Sequence, residues 1–338
     1  CLVGSEMCIR DRSSTYHRYP SCQNPELLTS ALLLSLCACG ETDETKIAVI
    51  VKSVDSDFWQ NFKSGVESAA TEYNVSVTFE GPENEENYAE QNKMISRAAE
   101  NGADVIVLSA IDRTRCAPTV NAAVRSGVRV IAADSALDSP LISLFIGTDN
   151  PESGISAAKA LEAQFSAGEK IKLGIVGCSE KTENILKREE GLREYFAGLD
   201  NAEVVASAAA DSNIESAESK AAELLQKHPE INALIGLNEW TTLGVGAAIK
   251  KANAAGKIKT VGFDTNTVSV GMLETGEMGA LIVQNPFAMG YLSVKTAAEL
   301  KNGEQPGGEA IYTAVTTVSK ENMYDPNIQK ILFSFKKG

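Results

Sequence analysis

Ile47-Ala48-Val49-Ile50-Val51, followed by Lys52-Ser53-Val54-Asp55-Ser56-Asp57-Phe58-Trp59, decides how the rest of the chain reads. A continuous run of β-branched and small apolar residues is the mark of a strand buried on both faces, as in a parallel sheet. A polar loop follows, and two adjacent aromatics open a helical pattern over 58–73. In an open α/β sheet, ligands bind beyond the carboxyl ends of the strands, where this loop falls. Phe58 and Trp59 are therefore expected to offer a platform to a flat, partly apolar ligand face. At least one ring should stand in a cleft, because neighbouring helical positions cannot both face one core.

Outward from this stretch the chain alternates strand and helix. Strands are expected at 47–51, 75–80, 104–109, 128–133 and 142–147, with helices over 58–73, 88–101 and 116–126 between them. Asp149-Asn150-Pro151-Glu152 then supplies a capping residue, a proline at the helix start and an acid in the first turn, opening a helix to about residue 167. The pattern restarts, with strands at 171–176, 202–207, 232–237, 259–263 and 280–284 and helices over 183–197, 215–228, 240–254 and 286–302. Such alternation predicts an α/β fold of two doubly wound parallel-sheet lobes with right-handed crossovers.

The two halves echo one another. The strand after Ala103 ends in Ser109 and the strand after Val128 in Asp134; the strand after Asn232 ends in Asn238 and the strand after Lys259 in Asp264. The spacing is 25 residues (134 − 109) in one half and 26 (264 − 238) in the other. Two lobes of this kind facing each other would bring both sets of strand ends to one cleft.

Composition sets limits. The chain has 338 residues, enough for two ordinary domains, and a formal net charge of −14. That charge argues against nucleic acid and against an anionic membrane face, both of which call for a Lys/Arg surface. Five of seven Cys fall within residues 1–39; Cys116 and Cys178, with no framework or metal spacing, are expected as lone buried thiols. Neither a metal nor a cofactor is expected.

Residues 1–26 lack any period, and 1–12 resemble translated sequencing-adapter sequence; this stretch is expected to contribute nothing to the fold. An uncharged Leu-rich run over 27–38 has the length of a signal-peptide hydrophobic region and is too short to span a bilayer. It ends in Leu36-Cys37-Ala38-Cys39-Gly40, which looks like a bacterial lipobox with Cys39 as the lipidated residue, followed by a polar tether to residue 45.

With these residues in place, the chain over about 46–323 resembles the periplasmic sugar-binding proteins of the ribose-binding type, the solute receptors of ABC transporters. The resemblance implies two lobes joined by three crossings, near 147–150, 284–286 and 316–319. One lobe would be 46–148 plus 286–316, the other 149–285 plus 317–325, with 326–338 as a surface extension carrying an apolar patch at Ile331-Leu332-Phe333. It also implies a sugar bound between the lobes. Phe58 and Trp59 match the aromatic pair that stacks on the sugar ring. Asp134 matches a hydroxyl acceptor, Arg188 the arginine three residues before a helix glycine, Asn238 and Asp264 the polar strand ends of the second lobe, and Gln284 the hinge amide. Ser135 stands where ribose receptors have Arg, and Ser109 where they have Asn, which argues against ribose itself and leaves a polyol-like ligand. Trp240 is a further candidate wall, and Asp57 and Glu239 candidate acceptors.

Read without the resemblance, several of these residues are ordinary. A strand-end Asp is a common turn residue. Arg188, among Lys187, Glu189 and Glu190, reads as a solvated face, and Asn238 can simply cap a helix. Together they suit sugar chemistry. Carboxylates accept from hydroxyls, amides donate and accept, Arg donates in a fixed fork, and aromatic rings cover C–H faces. The expected ligand is a neutral or amino sugar or a related polyol, and a strongly anionic one is disfavoured. The function expected is a monomeric, lipid-tethered receptor that closes on its ligand and offers it to an ABC permease. A receptor feeding a signalling partner fits the sequence equally. A lac-repressor-like sensor core would need a basic helix-turn-helix where this chain has its apolar run and Cys39. An enzyme would need a nucleophile or phosphate motif; Gly177-Cys178-Ser179 is the nearest and lacks a following Gly and a His nearby.

Overall fold

The computed structural model describes residues 44–178, 182–304 and 307–333. The leader, Cys39, most of the tether and Ser179 lie outside them.

The run at 47–51 forms the core of β1 (Lys46–Ile50), and its alternation shows why it is apolar throughout. Ile47, Val49 and Val51 pack on one face of a sheet with Phe62, Val66, Met289 and Val294, while Ala48 and Ile50 pack on the other with Ile95, Ile106 and Val120. In order follow α1 (Asp57–Tyr73), β2 (Ser76–Glu80), α2 (Tyr88–Glu100), β3 (Val105–Leu108), α3 (Ala117–Arg125), β4 (Arg129–Ala133) and β5 (Leu144–Thr148). The second series is α4 (Asn150–Glu162), β6 (Ile171–Gly177), α5 (Glu183–Ala197), β7 (Ala202–Ala209), α6 (Ile214–Lys227), β8 (Ala233–Gly236), α7 (Glu239–Lys251), β9 (Lys259–Phe263), α8 (Thr267–Thr275) and β10 (Ala280–Val283). The chain closes with α9 (Pro286–Lys301), β11 (Ala310–Thr313), β12 (Thr316–Ser319) and α10 (Pro326–Leu332).

Two six-stranded sheets result, ordered β11-β5-β4-β3-β1-β2 and β12-β10-β9-β8-β6-β7. Position for position the orders are the same, so the echo in the sequence is an echo of topology. Every strand pair is parallel except β10 with β12. The exception follows from connectivity. β11 comes after the full crossover of α9 and lands parallel to β5, whereas β12 follows β11 through Ala314 and Val315 alone and enters the other sheet reversed.

Three differences from the sequence reading have physical causes. Residues 316–319 are strand β12, paired with β10, rather than a crossing; the chain changes sheets at Ala314 and Val315. Residues 326–332 are helix α10 rather than a plain surface extension, with Leu332 buried and Ile328 and Ile331 packed on the second core; of the apolar patch at 331–333 only Phe333 stays exposed. Residues 267–275, rich in β-branched residues and glycine, form α8 because Asn266 and Ser269 make a reciprocal capping box at its start.

Candidate ligand-binding cleft

The carboxyl ends of β4 and β9 carry the two aspartates, and both leave their strands in the same unusual way. Asp134 has φ 60° and Asp264 φ 68°, in the left-handed region that Asp tolerates better than most side chains. The Asp134 N–H donates to Ile146 O and the Asp264 N–H to Ile282 O, each at 3.0 Å. Each sheet thus ends its fourth parallel strand in a carboxylate turned by one backbone geometry, and both aspartates line one cavity.

Asp134 is saturated with donors. Lys52 Nζ lies 2.8 Å from Oδ2, Ser109 Oγ and Ser135 Oγ each donate to Oδ2 at 3.0 Å, and Asn184 Nδ2 stands 3.3 Å from both oxygens. Burial alone would raise this carboxyl, but Lys52 and Arg188 with the hydroxyl bonds outweigh it and hold the group below its usual range. Lys52 also donates to Ser135 Oγ at 2.9 Å. A cation therefore does stand beside Ser135, supplied by the end of β1. Ser109 and Ser135 serve Asp134 and are not among the residues lining the cavity; nor is Asp57.

Arg188 is 1 % exposed, contrary to a solvated helix face. Its Nε donates to Asn150 Oδ1 at 3.0 Å, one terminal nitrogen to Leu237 O at 2.8 Å and the other to Gln284 Oε1 at 2.7 Å. Its guanidinium lies 4.4 Å from the centroid of the Phe263 ring. Close helix packing puts it there. A Cβ on Gly154 would stand 2.1 Å from Arg188 O, and one on Gly191 2.0 Å from Pro151 O, so only glycine lets α4 and α5 approach this far. Gln284 joins the halves of the network: its Oε1 also accepts from Thr148 Oγ1 at 2.7 Å and its Nε2 donates to Asp264 Oδ1 at 2.6 Å. Burial raises the Asp264 carboxyl, and Arg188 and Gln284 only partly offset it.

Phe58 and Trp59 meet edge to face, centroids 4.9 Å apart, and both line the cavity while packing into the first core with Phe62. The Trp59 indole N–H donates to Glu85 Oε1 at 3.0 Å. Asn238 does two things at once. Its Oδ1 caps α7 by accepting from the Thr241 N–H at 3.0 Å, and its Nδ2 faces Cys178 Sγ at 3.2 Å on the cavity wall. Trp240 is a half-buried wall, and Glu239 a buried one. Cys116 and Cys178 are both buried free thiols.

The sequence reading did not single out Lys52, Ser56, Glu85, Thr182, Asn184, Cys178 or Ser212 as cavity residues, yet all line it. A signal existed for Lys52, a lysine abutting a doubly buried strand. None existed for Asn184 or Glu85, which reach the cavity only because the lobes face each other. Among the described residues, bonds that cross between the lobes include Asn184 to Asp134, Thr182 Oγ1 to Ile111 O at 3.1 Å, the Ser212 N–H to Glu86 Oε1 at 2.5 Å and, at the hinge, Thr148 Oγ1 to Gln284 Oε1. Among the described residues no group of three or more His, Cys, Asp or Glu is placed to hold a metal ion.

Comparison with known proteins agrees with this geometry. The D-ribose/D-allose-binding protein of Pseudomonas aeruginosa is 24% identical over 291 residues, 83% of this chain and 90% of that protein. The D-allose-binding periplasmic protein of Escherichia coli is 26% identical over 271 residues, 78% of this chain and 86% of that one. Among solved structures, a carbohydrate transporter solute-binding protein of Agrobacterium radiobacter in complex with D-arabinose superposes with TM-score 0.82 at 28% identity, covering 86% of this chain and 99% of that one. A solute-binding protein of Agrobacterium vitis with bound D-fucose gives 0.80 at 30%, covering 85% and 99%. The periplasmic binding protein domain matches residues 47–305, from the first strand of one sheet to beyond the helix that returns from the other, and the chain belongs to that family.

Proposed function

We propose that the chain is an extracytoplasmic receptor that binds a sugar or related polyol between its two lobes and delivers it to an ABC-type permease. The observation that carries this is the mirrored pair Asp134 and Asp264. Both are buried, both turn into one cavity, and that cavity also holds two aromatic rings and the amides of Asn184, Asn238 and Gln284. Such a set pairs hydroxyl donors and acceptors and covers ring C–H groups. A ligand missing one hydroxyl leaves a buried partner unpaired, at a cost of roughly 1–3 kcal/mol, which is the source of selectivity. The relatives that bind ribose, allose, arabinose and fucose support the same ligand class.

Phe58, Trp59, Asp134, Arg188, Asn238, Asp264 and Gln284 are the ligand-contacting residues in this reading, joined by Lys52 and Asn184. Ligand touching both lobes shifts the population toward the closed arrangement, which is the form the permease receives. In this reading the protein binds its ligand without transforming it, and burial, which pushes the Cys178 thiol from 9.0 up to about 12, argues against that sulfur as a nucleophile. The Leu-rich run at 27–38 and Cys39 support a membrane-tethered lipoprotein.

Thermal unfolding of the protein against pentoses, hexoses, amino sugars and polyols tests the reading. A true ligand at a hundredfold excess over its Kd adds about 2.7 kcal/mol, a rise of several degrees. That rise should vanish in Asp134→Ala and Asp264→Ala. A folded protein whose melting no member of the panel moves would refute the sugar assignment.

A further inference from the structure

Among the described residues, Glu239 is the one carboxyl on the cavity wall with a buried oxygen that lacks a hydrogen-bond partner. It is 7 % exposed, at the first position of α7 and next to Asn238. Its Oε1 accepts from Asn266 Nδ2 at 2.8 Å, while Oε2 is fully buried with no hydrogen-bond partner among the described residues. A buried carboxylate oxygen without a donor is costly, and a native site that keeps one does so for a functional role or pairs it with a group from outside the chain, such as a water, an ion or a ligand.

The charges around it say which ligand group fits. Among the described residues, the two cations lining the cavity are committed elsewhere: Lys52 to Asp134, and Arg188 to Asn150, Leu237 O and Gln284. Among the described residues the largest charge effects on Glu239 come from Asp264 at the end of β9 and Asp57 at the start of α1, both acids, while the neutral Asn266 and Ser56 hydrogen-bond to the carboxyl and pull it back down. Among the described residues no Lys, Arg or His forms an ion pair with it. Burial and these like charges push its carboxyl up to about 7, the behaviour of an acid short of a counter-charge.

Resting on the receptor reading above, we infer that Glu239 sets ligand choice in this cavity by taking an ammonium group at its open oxygen, so that the ligand is a sugar or polyol bearing a protonated amine. The amine would supply the missing donor and cation together. Lys52 and Arg188, already satisfied, have no need of an anionic ligand. The apolar faces of Phe58 and Trp59 would still cover the carbon skeleton, and Asp134 and Asp264 the hydroxyls.

The test is calorimetric titration of the protein with 6-amino-6-deoxyhexoses and 1-amino-1-deoxyhexitols, each beside its hydroxyl counterpart, at pH 7.5 and 5.5. The expected result is a preference for the amine of about tenfold or more at pH 7.5, falling about tenfold at pH 5.5 as Glu239 takes up a proton. In Glu239→Gln the preference should collapse to within about twofold at both pH values, with binding of the hydroxyl counterpart retained. A hydroxyl sugar that binds as tightly as its amine, or an amine preference unchanged in Glu239→Gln, overturns this inference and leaves the sugar reading standing. No binding by either series, nor by the wider panel, overturns both.

Discussion

Replacing Glu239 by Gln should stabilise the ligand-free protein, by an amount that depends on pH in a defined way. The perturbation is small in shape, and Gln keeps an oxygen for Asn266 Nδ2. What it removes is a titrating carboxyl whose value rises from 4.5 to about 7 on folding, first through burial and then through Asp264 and Asp57. An acid raised on folding is favoured in its protonated form. It therefore carries no penalty below its unfolded value, loses stability as pH climbs from 4.5 toward 7, and carries the full penalty above. At about 1.4 kcal/mol per pH unit, that penalty is about 3 kcal/mol. The variant should thus match the parent near pH 4.5, gain steadily through pH 6 and level off about 3 kcal/mol more stable above pH 7. Removing the charge also relieves Asp264, itself raised by burial, which acts in the same direction. Urea unfolding of both proteins at five pH values between 4.5 and 8.5, with m-values compared, measures this directly. A difference flat with pH, or a variant less stable at pH 8, would show that Glu239 is charged and satisfied in the folded protein and would refute the reasoning.

Other outcomes follow from the same network. Lys52→Met strips the cation from buried Asp134, whose value is lowered on folding; stability should fall by about 3 kcal/mol at neutral pH, less in acid, with Lys52→Met/Asp134→Asn recovering most of it in urea unfolding. Gly191→Ala puts a methyl 2.0 Å from Pro151 O, so α5 must shift and carry Arg188 with it; ligand affinity should drop at least tenfold by titration while far-ultraviolet circular dichroism stays unchanged. Cys116 and Cys178, buried thiols raised on folding, should resist iodoacetamide in the native protein and react on unfolding, as read by peptide mass mapping. Leu332→Ala should cost about 2 kcal/mol in urea unfolding if α10 is part of the second core; no loss would return the tail to a loose extension.

How much of this was legible depended on range. The alternation of buried runs and amphipathic stretches gave ten of the strands, most plainly the central β1, β3, β8 and β10, which are buried along nearly all their length. β11 and β12, four residues each and separated by Ala314 and Val315, are too short for any period, and their pairing is fixed by where α9 returns the chain. α8 rests on a capping box that overrides weak helix formers, and α10 on apolar side chains that find a core only in three dimensions.

The site divides the same way. Sequence alone determined that Asp134 and Asp264 end equivalent strands, that an aromatic pair follows the first strand, and that Gln284 sits at a break before a proline, since each is a local pattern with a local cause. Only the tertiary structure decided what these groups do. Arg188, beside two glutamates and a lysine in the sequence, became a fully buried cation because glycines on α4 and α5 let the helices close on each other. Ser109 and Ser135 turned from ligand candidates into donors for Asp134, and Lys52 filled the place where a charge had looked absent. Glu239 acquired a buried, unpartnered oxygen, and its raised carboxyl first from that burial and then from like charges contributed by distant elements. Burial and charge balance are sums over neighbours brought from far along the chain, and a sequence read in order does not contain those neighbours.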